Sequence, residues 1–350
     1  MRRTVIGVVA LTAAATALSG VGMATAAETG SGSDARLVVK ASGLDIPFGL
    51  AKRGKHSFVV AENAAGKVTQ IGPKGGQSTV VSGAPGVSGV ASRGRFVFSV
   101  IGGPNEQGAP PAGTYKPTQV LRTNMRNGRT KVLANLERYE LNHNPDGQKQ
   151  FVNGQPVDAL SNPFSAAITP RGLLVADGGA NDVLRINPDT GKVTTFFVPP
   201  TVKPRQVAAC GQSRNNPGTV GCDSVPTGVA FANGSVWVST LGAEVPGAGR
   251  IYKLNPRNGK VRRVYPGLNS PTGVAVTRNG AIWFSQVLKS NPAGPPGQIV
   301  RIGPRGKVTR AKVFQPVGLA VRRGKLFSTA GSLAGPGAGQ IVRVTPNEFR

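Results

Sequence analysis

Catalysis and ligation need side chains that ionise, coordinate or attack, and this chain is sparing with them: 15 carboxylates against 42 lysines and arginines, two histidines and two cysteines in 350 residues. Two of the carboxylates stand at matching points of a repeated strand pattern, Val59-Val60-Ala61-Glu62 and Leu174-Val175-Ala176-Asp177. Val100, Thr240, Gln286 and Ala330 fall at the corresponding points of the other copies, so that the six positions are expected at the mouth of one central channel. Glu62 and Asp177, with Asn63, Asn181 and Asp182 close by in the chain, offer the hard oxygen donors that suit a divalent cation, calcium or magnesium. Thr240 and Gln286 extend this set as uncharged contacts to a ligand. Acids at strand ends also serve simply to satisfy backbone donors or neighbouring arginines.

Acid–base and nucleophilic chemistry is thinly provided. His143, within Tyr139-Glu140-Leu141-Asn142-His143-Asn144-Pro145-Asp146, could act as a general base near neutral pH, although an isolated loop histidine is more often a surface residue. His56 falls in a basic turn. There is no Gly-x-Ser-x-Gly elbow, phosphate-cradling loop or His-Glu-x-x-His motif, and no catalytic residue can be assigned. Cys210 and Cys222, with eleven residues between them in a Gly/Asn-rich loop, have no histidine nearby to make a zinc site. A disulfide between them is expected.

The elements that must position these residues emerge from a phrase that occurs six times. Its copies begin at Pro47-Phe48-Gly49-Leu50-Ala51, Val87-Ser88-Gly89-Val90-Ala91, Pro163-Phe164-Ser165-Ala166-Ala167, Pro226-Thr227-Gly228-Val229-Ala230, Pro271-Thr272-Gly273-Val274-Ala275 and Pro316-Val317-Gly318-Leu319-Ala320; the last three are 45 residues apart. In the fifth copy four strand signals follow one another: 273–276, a turn at Arg278-Asn279-Gly280, 282–285, Gln298-Ile299-Val300-Arg301-Ile302, a turn at Pro304-Arg305-Gly306, and 308–313. No segment carries a sustained helical period. Units of four short strands spaced in this way are propeller blades. The sixth unit ends after its third strand, 341–344, and the early segment 37–44 resembles a fourth strand. The fold expected is therefore all-β, a six-bladed β-propeller over residues 28–350, closed by the N-terminal strand completing the last blade; closure removes exposed sheet edges, and a monomer is expected.

Ahead of the repeats, Met1-Arg2-Arg3, an apolar run over 5–18 and Ala24-Thr25-Ala26 read as a signal peptide cleaved after residue 27. No later segment approaches the length of a transmembrane helix, so a secreted chain, extracellular or cell-wall associated, is expected. Its formal charge of +27 favours anionic polymers or surfaces. The turns after first and third strands are short and basic, as in Lys52-Arg53-Gly54-Lys55, Arg257-Asn258-Gly259-Lys260 and Arg322-Arg323-Gly324-Lys325, with Asp189 the lone acid. They lack the interleaved aromatics of a nucleic-acid surface, so an anionic cell-envelope polymer is the expected partner rather than a specific nucleic acid. The opposite connections hold every insertion (102–117, 139–162, 199–225) and most acids, among them Asp45, Glu62, Glu106, Glu140, Asp146, Asp158, Asp177, Asp182, Asp223 and Glu244. Irregular loops on a rigid scaffold are where binding usually resides, and a small-molecule ligand is expected on this face.

The opening Ala41-Ser42-Gly43-Leu44-Asp45-Ile46-Pro47-Phe48-Gly49, Asn144-Pro145-Asp146-Gly147, Ser161-Asn162-Pro163-Phe164 and Val175-Ala176-Asp177-Gly178-Gly179-Ala180-Asn181-Asp182-Val183 resemble the ScyD/ScyE family of secreted propellers over nearly the whole mature chain. The resemblance implies a six-bladed fold and export, with no settled activity. The Pro-x-Gly-[Val/Leu]-Ala phrase is also similar to NHL, gluconolactonase-like and streptogramin-lyase propellers. Streptogramin lyases imply a catalytic histidine with magnesium, and no histidine here occupies a repeat position. Gluconolactonase-like enzymes imply a metal held by Glu, Asn and Asp, for which Glu62 and Asp177 are the repeat-aligned acids. Three expectations follow. The first is a non-catalytic binding or scaffold protein, with its ligand on the acidic face and envelope polymers on the basic face. The second is a metal-dependent lyase or hydrolase around Glu62 and Asp177. The third is a wall-polymer adhesin whose affinity lies in the basic turns alone.

Overall fold

The computed structural model describes residues 37–103, 113–156, 160–211, 218–287 and 297–345; the expected signal peptide, Glu106 and Asp158 lie outside them. Six four-stranded antiparallel sheets follow one another along the chain. Blade 1 is Pro47–Arg53, Ser57–Glu62, Lys67–Ile71 and Gln77–Val81; blade 3 is Pro163–Thr169, Gly172–Asp177, Asp182–Ile186 and Val193–Phe197. Blade 5 begins at Val274–Val276 and continues through Ile282–Gln286, Gln298–Ile302 and Val308–Lys312. In blade 6 the strand order is Leu319–Arg322, Lys325–Ala330, Gly339–Val344 and then Val38–Leu44 from the other end of the chain. Val38 pairs with Arg343 and Leu44 with Gly339, which closes the ring as the repeat pattern requires.

Alternation along each strand sends side chains to opposite faces, so every blade can pack on both neighbours at once. Val59 and Ala61 meet Val90 and Val97 of blade 2, while Phe58 and Val60 meet Phe327 and Ile341 of blade 6. Leu173 and Val175 face blade 2, and Leu174 and Ala176 face blade 4. Six such apolar layers, one between each pair of successive blades, form the core. Second strands are buried on both sides, whereas a fourth strand such as Val261–Leu268 is mostly exposed.

The glycine of the repeated phrase has a packing reason. A Cβ on Gly49 would lie 2.6 Å from the Ser88 carbonyl oxygen and 2.9 Å from the Gly89 Cα, and one on Gly89 would lie 2.7 Å from the Ser165 Cα. The first strands of successive blades thus converge on the channel with backbone against backbone, a spacing that excludes a side chain. In blade 3 serine replaces this glycine, and its hydroxyl accepts from the Val229 N–H of blade 4 at 3.0 Å.

Three features depart from the sequence reading. A helix, α1 (Leu136–His143), occupies the start of the blade 2 to blade 3 connection: the Asn135 side chain caps it by accepting from Arg138 N–H at 2.7 Å, and Asn144 ends it in the left-handed region. At eight residues it is too short to display a period. In blade 2 it is Ile101, not Val100, that matches Glu62 and Asp177. Ile101 pairs with Val87 as Glu62 does with Pro47 and Asp177 with Pro163; the irregularity after Val87 recurs after Pro47 and Pro163, so blade 2 keeps the common register with an apolar residue at the strand end. Finally, Glu62, Asp177 and Thr240 at the second-strand ends are fully buried, and the central cavity is lined by first-strand residues such as Phe48, Leu50, Val90, Phe164 and Leu319.

Candidate functional site

Of the expected ligand-binding residues, all but Asp182 are engaged by other groups of the protein. Glu62 accepts from the Asp45 N–H at 2.8 Å and from the Thr69 hydroxyl, and pairs with Lys67 at 3.4 Å. Asn63 donates to the Val87 carbonyl at 3.3 Å, tying blade 1 to blade 2. Asp177 accepts from the Ser161 hydroxyl and the Asn162 N–H, both at 2.6 Å, and from the Ala180 N–H at 3.2 Å. Thr240 donates to the Arg250 carbonyl at 3.5 Å; Gln286 donates to the Asn269 carbonyl and accepts from Gln298 at 2.6 Å. Glu62 and Asp177 therefore do matching work, each holding the connection that enters its blade's first strand. No hydrogen bond or ion pair joins the two. Among the described residues no three His, Cys, Asp or Glu side chains are grouped so as to hold a metal ion.

The structure does bring Asp177, Asn181 and Asp182 together, and it adds partners from distant segments. Asp177 and Asp182 face each other across the second and third strands of blade 3. Over them sit Glu140 from α1 and Asp146 from the turn that follows it; Asn181 donates to Asp146 at 3.3 Å and accepts from the Val225 N–H at 3.1 Å. Gln148 links to Asp223 at 2.8 Å, and Gln150 to Glu140 at 3.2 Å. Five of the chain's 15 carboxylates, Glu140, Asp146, Asp177, Asp182 and Asp223, thus gather over one blade. Burial, reinforced by the neighbouring acids, pushes Asp182 well above the usual carboxylate range; Glu140 is pushed up by burial to about 7, and Asp146 and Asp177 are raised by the same cause. Buried carboxylates whose acidity is shifted in this way mark a candidate functional site. Glu140 and Asp146 were visible in the sequence only as acids of a long insertion. It takes the fold to place them over Asp177 and Asp182.

The histidines stand apart from this cluster. His143 is exposed, stacked on the Tyr139 ring at 4.1 Å, with Nδ1 3.0 Å from the Tyr139 carbonyl of its own helix. His56 is engaged by Arg322 and Arg323. Cys210 and Cys222 are joined in a disulfide that is wholly buried with Val202, Val245 and Ala248.

On the opposite face the basic residues are partly structural. Arg122 donates to the Pro188 carbonyl of the next blade at 2.8 Å and lies over Phe96, and Arg185 donates to the Pro256 carbonyl at 2.7 Å and lies over Phe196. The central cavity, about 50 Å³, is lined by backbone, apolar side chains, Ser165 and Thr227, with no ionisable group.

No family model and no curated protein matches the chain by sequence. Solved structures with the same architecture include a gluconolactonase from Xanthomonas campestris (TM-score 0.56, 14% identity, 89% of this chain and 91% of the other). A regucalcin from Agrobacterium tumefaciens, described as a calcium-binding protein, is similar at TM-score 0.54 and 12% identity (88% and 92%). A streptogramin B lyase is similar at TM-score 0.51 and 14% identity (88% and 97%). The chain thus shares the β-propeller architecture of these structures, with six blades of its own. At such identities the likeness speaks for the fold alone.

Proposed function

We propose that this chain is an exported, non-catalytic binding propeller of the ScyD/ScyE type, taking a small-molecule ligand on its loop-rich face and held near anionic cell-envelope polymers by its basic face. One observation carries the reading: Glu62 and Asp177, the acids a channel-mouth catalyst would use, are already spent on donors of their own blades. The signal-like leader, the disulfide and the lack of any described helix long and apolar enough to cross a membrane agree with export. The test is to offer the purified mature protein a gluconolactone and a streptogramin B with and without divalent cations, alongside sedimentation with an anionic wall polymer across a salt series. Salt-sensitive polymer binding without turnover is expected. Turnover lost in a folded Glu62→Ala or Asp177→Ala variant would overturn the reading.

A second reading, a metal-dependent lyase or hydrolase, draws support from the shared fold of the gluconolactonase and the lyase. Glu140, held near pH 7, is a group of suitable acidity for proton transfer. Under that reading turnover should depend on Glu140 as well as on the metal.

A further inference from the structure

Five buried oxygens in the roof of blade 3 have no hydrogen-bond donor: both of Asp182, Oε2 of Glu140, Oδ1 of Asn144 and Oε1 of Gln148. Asp182 is 0% and Glu140 4% exposed. The surrounding hydrogen bonds knit these residues into one site. Asn144 Nδ2 goes to the Gln148 carbonyl at 2.9 Å, Gln148 Nε2 to Asp223, Gln148 N–H to Asp146 at 2.9 Å, Asn181 Nδ2 to Asp146, and Gln150 Nε2 to Glu140. Among the described residues no lysine or arginine forms an ion pair with Asp182 or Glu140.

A buried carboxylate without a partner is costly, and two beside further acids more so, unless positive charge is supplied. We propose that the roof of blade 3 is a calcium site, with Asp182 and Glu140 as carboxylate ligands and Asn144 and Gln148 as amide-oxygen ligands. Two carboxylates with amide carbonyls and water fit calcium's six to eight oxygen ligands in loose geometry, whereas magnesium demands a stricter octahedron and keeps several waters. The ion would bind α1, the turn over 144–148 and the Asp177–Asp182 hairpin into one unit. The site is separate from the Glu62–Asp177 pair, whose oxygens are already engaged, and it does not depend on whether the face binds or catalyses.

The test uses the mature chain, stripped with chelator and titrated with calcium chloride by calorimetry, with the thermal midpoint read in parallel. One ion per chain and a raised midpoint are expected. Asp182→Asn should lose about tenfold or more in affinity and most of the midpoint shift. Gln148→Met, which keeps the volume and removes the amide oxygen, should weaken binding less, and Glu62→Gln should leave it unchanged. Absence of saturable binding by the folded wild type, or undiminished affinity in folded Asp182→Asn, overturns the proposal. So does loss of the ion in Glu62→Gln alone. Should Asp182→Asn not fold, Gln148→Met and Glu140→Gln decide, since undiminished affinity in both would equally overturn it.

Discussion

Replacing Glu62 by alanine separates a structural carboxylate from a metal ligand. The side chain is wholly buried, and its loss leaves the Asp45 N–H and the hydroxyl of Thr69, itself 2% exposed, without an acceptor. Each stranded donor costs about 1–3 kcal/mol. Lys67 is about one-third exposed and also reaches Asp45 at 3.6 Å, so its loss of a partner adds little. Glu62→Ala should therefore lose about 3–5 kcal/mol. Glu62→Gln keeps the shape and one acceptor for the Asp45 N–H, while its amide can donate to the Thr69 oxygen; it should lose about 1–2 kcal/mol. Denaturant unfolding of the three proteins, with and without chelator, reads both numbers, and the order Ala, Gln, wild type should be the same in both buffers. If chelator destabilises the wild type to the level of the variants and leaves the variants unmoved, Glu62 is holding an ion and the reasoning is wrong.

Gly89→Ala would press a methyl against the Ser165 backbone of the next blade, and urea unfolding should show a loss of about 1–3 kcal/mol or more. In calcium-free buffer, stability should fall as pH rises from about 4.5 to about 7, because the unfolded chain ionises Glu140 while the fold keeps it protonated; the loss, seen by denaturation across pH, is at most about 3 kcal/mol and smaller where water screens the carboxyl. Glu140→Gln should flatten that slope, with Asp182, Asp146 and Asp177 contributing what remains. Reduction of Cys210–Cys222 should cost about 2–3 kcal/mol and expose the 199–225 loop to protease before the blades unfold, as limited proteolysis with mass spectrometry would reveal. Deleting residues 37–44 would leave the Gly339–Val344 strand an open edge, and light scattering should show association in place of a monomer.

Periodic information reads well from sequence because it is local and repeated. The six Pro-x-Gly phrases, the two-residue alternation in Ile299-Val300-Arg301-Ile302 and the missing fourth strand of the last unit were enough to establish blade number and closure. The disulfide followed from two cysteines in one loop. The candidate site did not read so well. Helix α1 is a single capped element inside an insertion, and the strand end of blade 2 falls on apolar Ile101, which nothing in its type sets apart from Val100. Glu62 and Asp177 looked like a pair because they occupy equivalent positions, yet equivalence in a ring means separation by whole blades.

By itself, then, the sequence determined the ring: the number of blades, their four-strand meander and the strand that locks it, all consequences of patterns repeated within short stretches of chain. Only the tertiary structure decided what the acids do. Whether a buried carboxylate is satisfied or stranded depends on which donors distant segments bring within reach, and those segments (135–150, 177–182 and 223–225) meet solely through the packing of blades 2, 3 and 4.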